Sequence, residues 1–231
     1  MNSLVSGYRA LVLGDTGALG QAFVSALKSD PYCAMVTGFS RSSMPSLLLE
    51  DPQSLQACAH SVANEDPFHL VIDATGALII DDTGPEKRLD DLDAHHLQRA
   101  MQVNAIGPAM LLKYFSPVLA TSERVIWAKL SARVGSIEDN RKGGWYGYRA
   151  SKAALNMFLQ TAAIEIVRRR PQAVIAALQP GTVRSRLSRP FVGDEGMSAE
   201  IAAQKLLRVL DELQPTGRAQ FVDHTGQSIP W

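Results

Sequence analysis

The segment Leu13-Gly14-Asp15-Thr16-Gly17-Ala18-Leu19-Gly20 decides the fold. Before it, Arg9 to Leu13 is a compact apolar run of strand length. After it, Leu19, Phe23 and Leu27 recur at helical spacing with Ala22 and Ala26 beside them, the pattern of an amphipathic helix. At a strand-to-helix turn the glycines have separate jobs. Gly14 permits the tight turn, Gly17 keeps the loop open, and Gly20 lets helix and strand pack closely. A helix start presented this way binds anions, because its first N–H groups lack intrahelical partners and its dipole favours negative charge. Thr16, Gly17, Ala18 and Leu19 make that turn.

The alternation continues outward. Asp30-Pro31 ends the first helix. Met35 to Ser40 reads as the second strand and Ser46 to Leu49 as a weaker third. Ser54 is placed to cap a helix over Leu55 to Ala63. Leu70 to Asp73 is the next strand, and residues 77–92 read as an irregular polar loop. Asp93 caps a long helix reaching toward Leu119. Val125 to Leu130 is a strand, Ser151 to Val167 a helix, and Val174 to Leu178 a strand ended by Pro180-Gly181. Ala199 to Leu213 is helical, and Gln220 to Asp223 is a last strand. Strands alternating with helices predict an α/β fold: a doubly wound, mostly parallel sheet of the Rossmann type, in three layers. Residues 1–231 read as one domain, with a small substrate lid near 182–198. Ligands of such sheets bind beyond the C-terminal ends of the strands, where each motif below falls.

Composition narrows the function classes. The formal net charge is zero, with no basic stripe for a nucleic-acid partner. Arg168, Arg169 and Arg170 read as a helix C-terminus facing its own dipole. Cys33 and Cys58 stand in no metal-like spacing and read as reduced thiols. His95 and His96 are adjacent on a helix and face different ways, so no metal is expected. No apolar run reaches the roughly 18 residues of a membrane span, and no leader pattern opens the chain, so the expected location is the cytoplasm.

Two positions bear on the nucleotide. A site for NAD calls for an acid about 20 residues beyond the glycine turn, to bind the ribose 2′-hydroxyl. That count lands on Ser40 and Arg41, and no acid lies between Cys33 and Pro45. Arg41 suits a 2′-phosphate instead, so NADP is favoured and NAD is the alternative. Asp15 in the turn adds opposing charge. Farther on, Tyr148-Arg149-Ala150-Ser151-Lys152 puts a phenol and an ammonium on one helical face. A free phenol has a pKa of about 10, and a neighbouring ammonium lowers it, which is what proton exchange with a carbonyl oxygen requires.

In this order the motifs resemble the short-chain dehydrogenase/reductase family over essentially the whole chain. The glycine turn comes first, then Asp73-Ala74-Thr75-Gly76, then Val103-Asn104, a Ser131 segment, Tyr148 with Lys152, and Pro180-Gly181-Thr182-Val183. Gly143 to Asn156 and the ending Ile229-Pro230-Trp231 are similar to the C-factor branch, related to cell–cell signalling proteins and carbonyl reductases. The resemblance implies hydride transfer between NAD(P)H and a small carbonyl or alcohol substrate, with Tyr148 as acid/base. It implies that Lys152 holds the nicotinamide ribose, that a serine orients the substrate, and that Asn104 supports a proton relay. It places the cofactor on Gly14, Thr16, Gly17, Ala18, Leu19, Gly20, Ser40, Arg41, Ala74, Thr75, Gly76, Asn104, Tyr148, Lys152, Pro180, Gly181 and Val183. The alternative is a degenerate dinucleotide-binding member acting in signalling or as a scaffold.

This chain departs from the family pattern in the turn, where Leu13 and Ala18 replace Thr and Gly, and at Ala74, which replaces an Asn. Counted from Gly135, the usual serine falls on Ala132. Adjacent strand residues face opposite ways, so Ser131 serves only if the strand end shifts or bulges; Ser136 is a second candidate. Pro108, four residues after Asn104, offers that carbonyl no N–H and predicts a kink. Apolar residues cover a broad arc of the Ser151–Val167 helix, which suits a homodimer or homotetramer.

Overall fold

The computed structural model describes residues 1–184 and 195–231. Six apolar runs pair as parallel strands: β1 (Tyr8–Leu13), β2 (Cys33–Phe39), β3 (Leu70–Asp73), β4 (Val125–Leu130), β5 (Ala173–Gln179) and β6 (Ala219–Asp223). Their order is β2-β1-β3-β4-β5-β6. The chain leaves β1 toward β2 and then returns to the other side of β1, so the switch point lies at the β1 end. Helices α1 (Ala18–Lys28), α2 (Pro52–Ser61), α3 (Ala94–Met101), α4 (Gly107–Phe115), α5 (Tyr146–Arg169) and α6 (Ala199–Glu212) cover both faces. Strand alternation divides the core in two. Leu11, Leu13, Val71, Trp127 and Ile175 face α2, α4 and α5. Ala10, Val12, Ile72, Ala128 and Ala176 face α1 and α6. Among the described residues no helix is long and apolar enough to cross a membrane.

Four local expectations need correction. Ser46 to Leu49 forms no strand, and β2 is the sheet edge. The Leu47 N–H bonds the Ser40 carbonyl and the Leu48 N–H bonds Ser54 Oγ, so these groups are satisfied locally rather than by β2. Ser54 therefore does not cap α2. Asp51 does, accepting from the Gln53 N–H at 2.9 Å, with Pro52 at the first helical position. Helix α5 starts at Tyr146, not Ser151. Finally, Arg170 lies past the last turn of α5 and is mostly buried, donating to the Ala120 and Leu119 carbonyls.

Asp93 does cap the next helix, accepting from the His96 N–H at 2.7 Å. The kink expected near Pro108 takes the form of a π-helical stretch, Gln102–Ile106, inserted between α3 and α4. Its closing bond runs from the Gly107 N–H to the Gln102 carbonyl, five residues back. Such insertions re-aim side chains, and this one contains Asn104.

Candidate active site

The glycine turn is built as its sequence implies. Gly14 has φ of +86°, and its N–H bonds the last residue of β2, the Phe39 carbonyl, at 2.7 Å. A Cβ at Gly20 would lie 2.1 Å from the Gly14 oxygen, so only glycine fits there. Gly17 caps α1 with no side-chain hydrogen bond, and Thr16, Gly17 and Ala18 are exposed. The first N–H groups of α1 are thus offered outward, beside the switch point, in a cradle that side chains would fill. Ser40 is buried just past β2, while Arg41 is exposed and makes no ion pair among the described residues.

Beyond β3, the chain passes into the Asp73–Gly76 loop, and Asn104 pins it. Asn104 is fully buried, with Oδ1 accepting from the Ala77 N–H at 2.9 Å and Nδ2 donating to the Ala77 carbonyl at 2.8 Å. A Cβ on Gly76 would stand 3.1 Å from Asn104 Oδ1 and 3.4 Å from Lys152 Nζ. Gly76 therefore lies between those two groups. On α5, Lys152 is buried. Its Nζ donates to the Leu130 carbonyl at 3.2 Å and lies 5.6 Å from the centre of the Tyr148 ring. Gly135, in the turn after β4, would drive a Cβ to within 2.7 Å of Lys152 Cβ, so a glycine there lets the turn meet the helix.

The expected acidification of Tyr148 is not what the protein groups alone produce. Burial pushes the Tyr148 phenol up to about 12. Burial also pushes the Lys152 ammonium down to about 7, helped by the positive Lys129 and opposed by Asp73. For Tyr148 desolvation is the cause of the shift, with the Lys152 ammonium 5.6 Å from the ring centre.

Three groups that sequence reasoning did not single out complete the arrangement. Lys129 on β4 is buried, bonding Asp73 Oδ1 (2.8 Å), the Thr75 carbonyl (2.6 Å) and Thr75 Oγ1 (3.0 Å). An apolar strand interrupted by lysine, beside a strand ending in aspartate, is the signal that marked this pair. Glu86, from the 77–92 loop, is buried and accepts from the Gly147 N–H at 2.9 Å. It does the work of an N-cap for α5, whose own cap position, Trp145, has φ of 55° and no side-chain bond. Asn156 on α5 accepts from Ser131 Oγ at 2.7 Å.

That last bond bears on the missing serine. The Ser131 N–H continues the ladder to the Leu178 carbonyl, so the strand end is neither shifted nor bulged. The Ser131 hydroxyl points to α5, and Ala132, on which the count from Gly135 places the expected serine, carries no hydroxyl. Ser136 Oγ accepts from the Asp139 N–H and donates to the Trp231 carbonyl. Among the described residues, neither hydroxyl is bonded to Tyr148. At the far rim, Gly181 (φ of +78°) is approached by the His224 ring, and Val183 is mostly buried and pairs with Met197. The expected lid at 182–198 falls mostly outside the described residues.

A parallel sheet with a glycine turn at its switch point, and a phenol and an ammonium beyond β4, defines a nucleotide-binding oxidoreductase. The family model described as enoyl-(acyl carrier protein) reductase matches residues 49–221, and the chain belongs to the short-chain dehydrogenase/reductase family of NAD(P)-dependent enzymes. It is 33% identical to the C-signal of Myxococcus xanthus over 144 residues, 62% of this chain and 83% of that protein. It is 27% identical to the 1-hydroxy-2-glutathionyl-2-methyl-3-butene dehydrogenase of Rhodococcus sp. (strain AD45) over 189 residues, 81% of this chain and 79% of that one. The fold is similar to that of the NADPH-bound carbonyl reductase from chicken fatty liver. There the TM-score is 0.85 at 20% identity, covering 98% of this chain and 95% of the other.

Proposed function

We propose that this chain is a carbonyl reductase or alcohol dehydrogenase that prefers NADPH and uses Tyr148 as its acid/base. The observation that carries the reading is the convergence of Tyr148, Lys152, Gly76 and Asn104 at the carboxyl end of the sheet. The turn from Gly14 to Gly20 would hold the pyrophosphate, Ser40 and Arg41 the adenosine ribose phosphate, and Ala74 to Gly76 with Pro180, Gly181 and Val183 the rest of the dinucleotide. When bound, the dinucleotide supplies or accepts the hydride.

The residues of the chain account for the proton. At neutral pH the half-buried Tyr148 phenol keeps its proton, so it is poised to give it to a carbonyl oxygen as negative charge develops there. Lys152, itself buried, stabilises in its charged form the phenolate left behind. Asn104 keeps the β3 loop in place and offers a polar wall next to Lys152.

One observation favours a second reading. With Ala132 at the serine position and Ser131 turned to Asn156, the substrate oxygen lacks its usual second donor. A dinucleotide-binding member with little turnover, acting in signalling or as a scaffold, fits that defect. Steady-state oxidation of NADPH with a panel of aldehydes and ketones separates the two. Turnover with any of them supports the enzyme, and NADPH binding without turnover supports the scaffold. We also propose a homodimer or homotetramer built through α5, whose outward Met157, Phe158 and Ile164 are exposed while Leu155, Leu159 and Ala163 fill the core. A monomer by light scattering contradicts that assembly.

A further inference from the structure

Resting on the dinucleotide reading above, we propose that Asp15 reads the adenosine ribose and admits NADH to a pocket that Arg41 alone would reserve for NADPH. In dinucleotide-binding folds, the acid that holds the ribose hydroxyls stands at the end of β2. No such acid exists in this chain between Cys33 and Pro45. The structure brings one there from the glycine turn. The Gly14 and Asp15 N–H groups both bond the Phe39 carbonyl, which latches the turn onto the last residue of β2. The Asp15 carboxylate then lies over Gly38. A Cβ on Gly38 would stand 2.3 Å from Asp15 Oδ2 and 2.9 Å from Cγ, so the bare Gly38 backbone is the slot in which the carboxylate rests.

Asp15 is also short of partners. Its Oδ1 is buried with no hydrogen bond, and it makes no ion pair among the described residues. A carboxylate oxygen held out of water without a donor is costly, and a ribose hydroxyl is a donor of the right kind. The same charge repels a 2′-phosphate. Asp15 and Arg41 thus pull the pocket in opposite directions, and the ratio of the two dinucleotide affinities is set by both.

Fluorescence titration of NADH and NADPH onto the full chain tests this without any substrate. Asp15→Ala removes one hydrogen bond to a charged group, so the NADH Kd rises roughly tenfold or more while the NADPH Kd does not rise. Gly38→Ala, whose new methyl displaces the carboxylate, shifts the ratio the same way. Arg41→Ala does the reverse, weakening NADPH and sparing NADH. Equal changes in both affinities, or none, for Asp15→Ala and for Gly38→Ala overturn the proposal while leaving the dinucleotide reading intact. If the wild-type chain binds neither dinucleotide, the reading itself fails and the proposal falls with it.

Discussion

Replacing Lys129 by Met tests how the site is held together. Lys129 and Asp73 are each 1% exposed, and Nζ lies 2.8 Å from Oδ1. Asp73 Oδ1 also accepts from the Thr75 N–H (2.9 Å) and hydroxyl (2.6 Å), whereas Oδ2 is buried with no partner. Removing the ammonium therefore strands a buried carboxylate, a defect that costs about 3–5 kcal/mol in comparable cases. For a chain of this size each kcal/mol lowers Tm by about 2–4 °C, so the expected drop is about 6–20 °C. The double variant Asp73→Asn with Lys129→Met removes both charges and keeps an acceptor for Thr75, so it should regain most of that loss. Urea unfolding followed by far-UV circular dichroism gives the four corners of the cycle. A cost under about 1 kcal/mol for Lys129→Met, or a double variant no more stable than the single one, would show that the Lys129–Asp73 pair does not hold the site together. The loss of Lys129 also bares Asp73 to Lys152, so the Lys152 ammonium should titrate higher in that variant.

Two further outcomes follow from the same groups. The Lys152 ammonium is pushed down to about 7 in the folded chain, against an ordinary 10.5, so between those values the unfolded chain binds the extra proton and stability rises with pH. Lys129, lowered in the same way by burial, adds to the rise, and the Cys58 thiol, pushed from 9.0 up to about 11, opposes it from about pH 9, so Lys152→Met should flatten the profile between pH 7 and 9 in urea melts without removing the rise entirely. Glu86→Ala removes the acceptor that caps α5 at Gly147 and should cost about 1–2 kcal/mol, with Glu86→Gln recovering most of it by thermal melting.

The fold was legible because its signals are local. Apolar runs marked all six strands, and the glycine turn announced its own geometry at Gly14 and Gly20. The Ser46–Leu49 pattern misled because its apolar side chains say nothing about which backbone groups are free to pair, and Ser54 had already taken one of them. The Tyr148–Lys152 pair could be read from spacing, but the direction of its pKa shifts could not, since burial is a property of the packed site. Glu86 and Asp15 were invisible as partners for a related reason. Each acts on a segment far along the chain, Glu86 on the start of α5 and Asp15 on the end of β2. Counting residues from Gly20 located the end of β2 correctly, and the charge of Asp15 was noted, but its approach to Gly38 arises through space and not along the chain.

In the proposed function Tyr148 exchanges the proton. The most direct test of this compares wild type and Tyr148→Phe, each first shown to bind NADPH with the same Kd, in single-turnover reduction of whichever aldehyde or ketone the wild type accepts. Losing the acid should slow hydride transfer by about 10²–10⁴-fold with binding unchanged. A Tyr148→Phe variant that turns over at the wild-type rate would contradict the account.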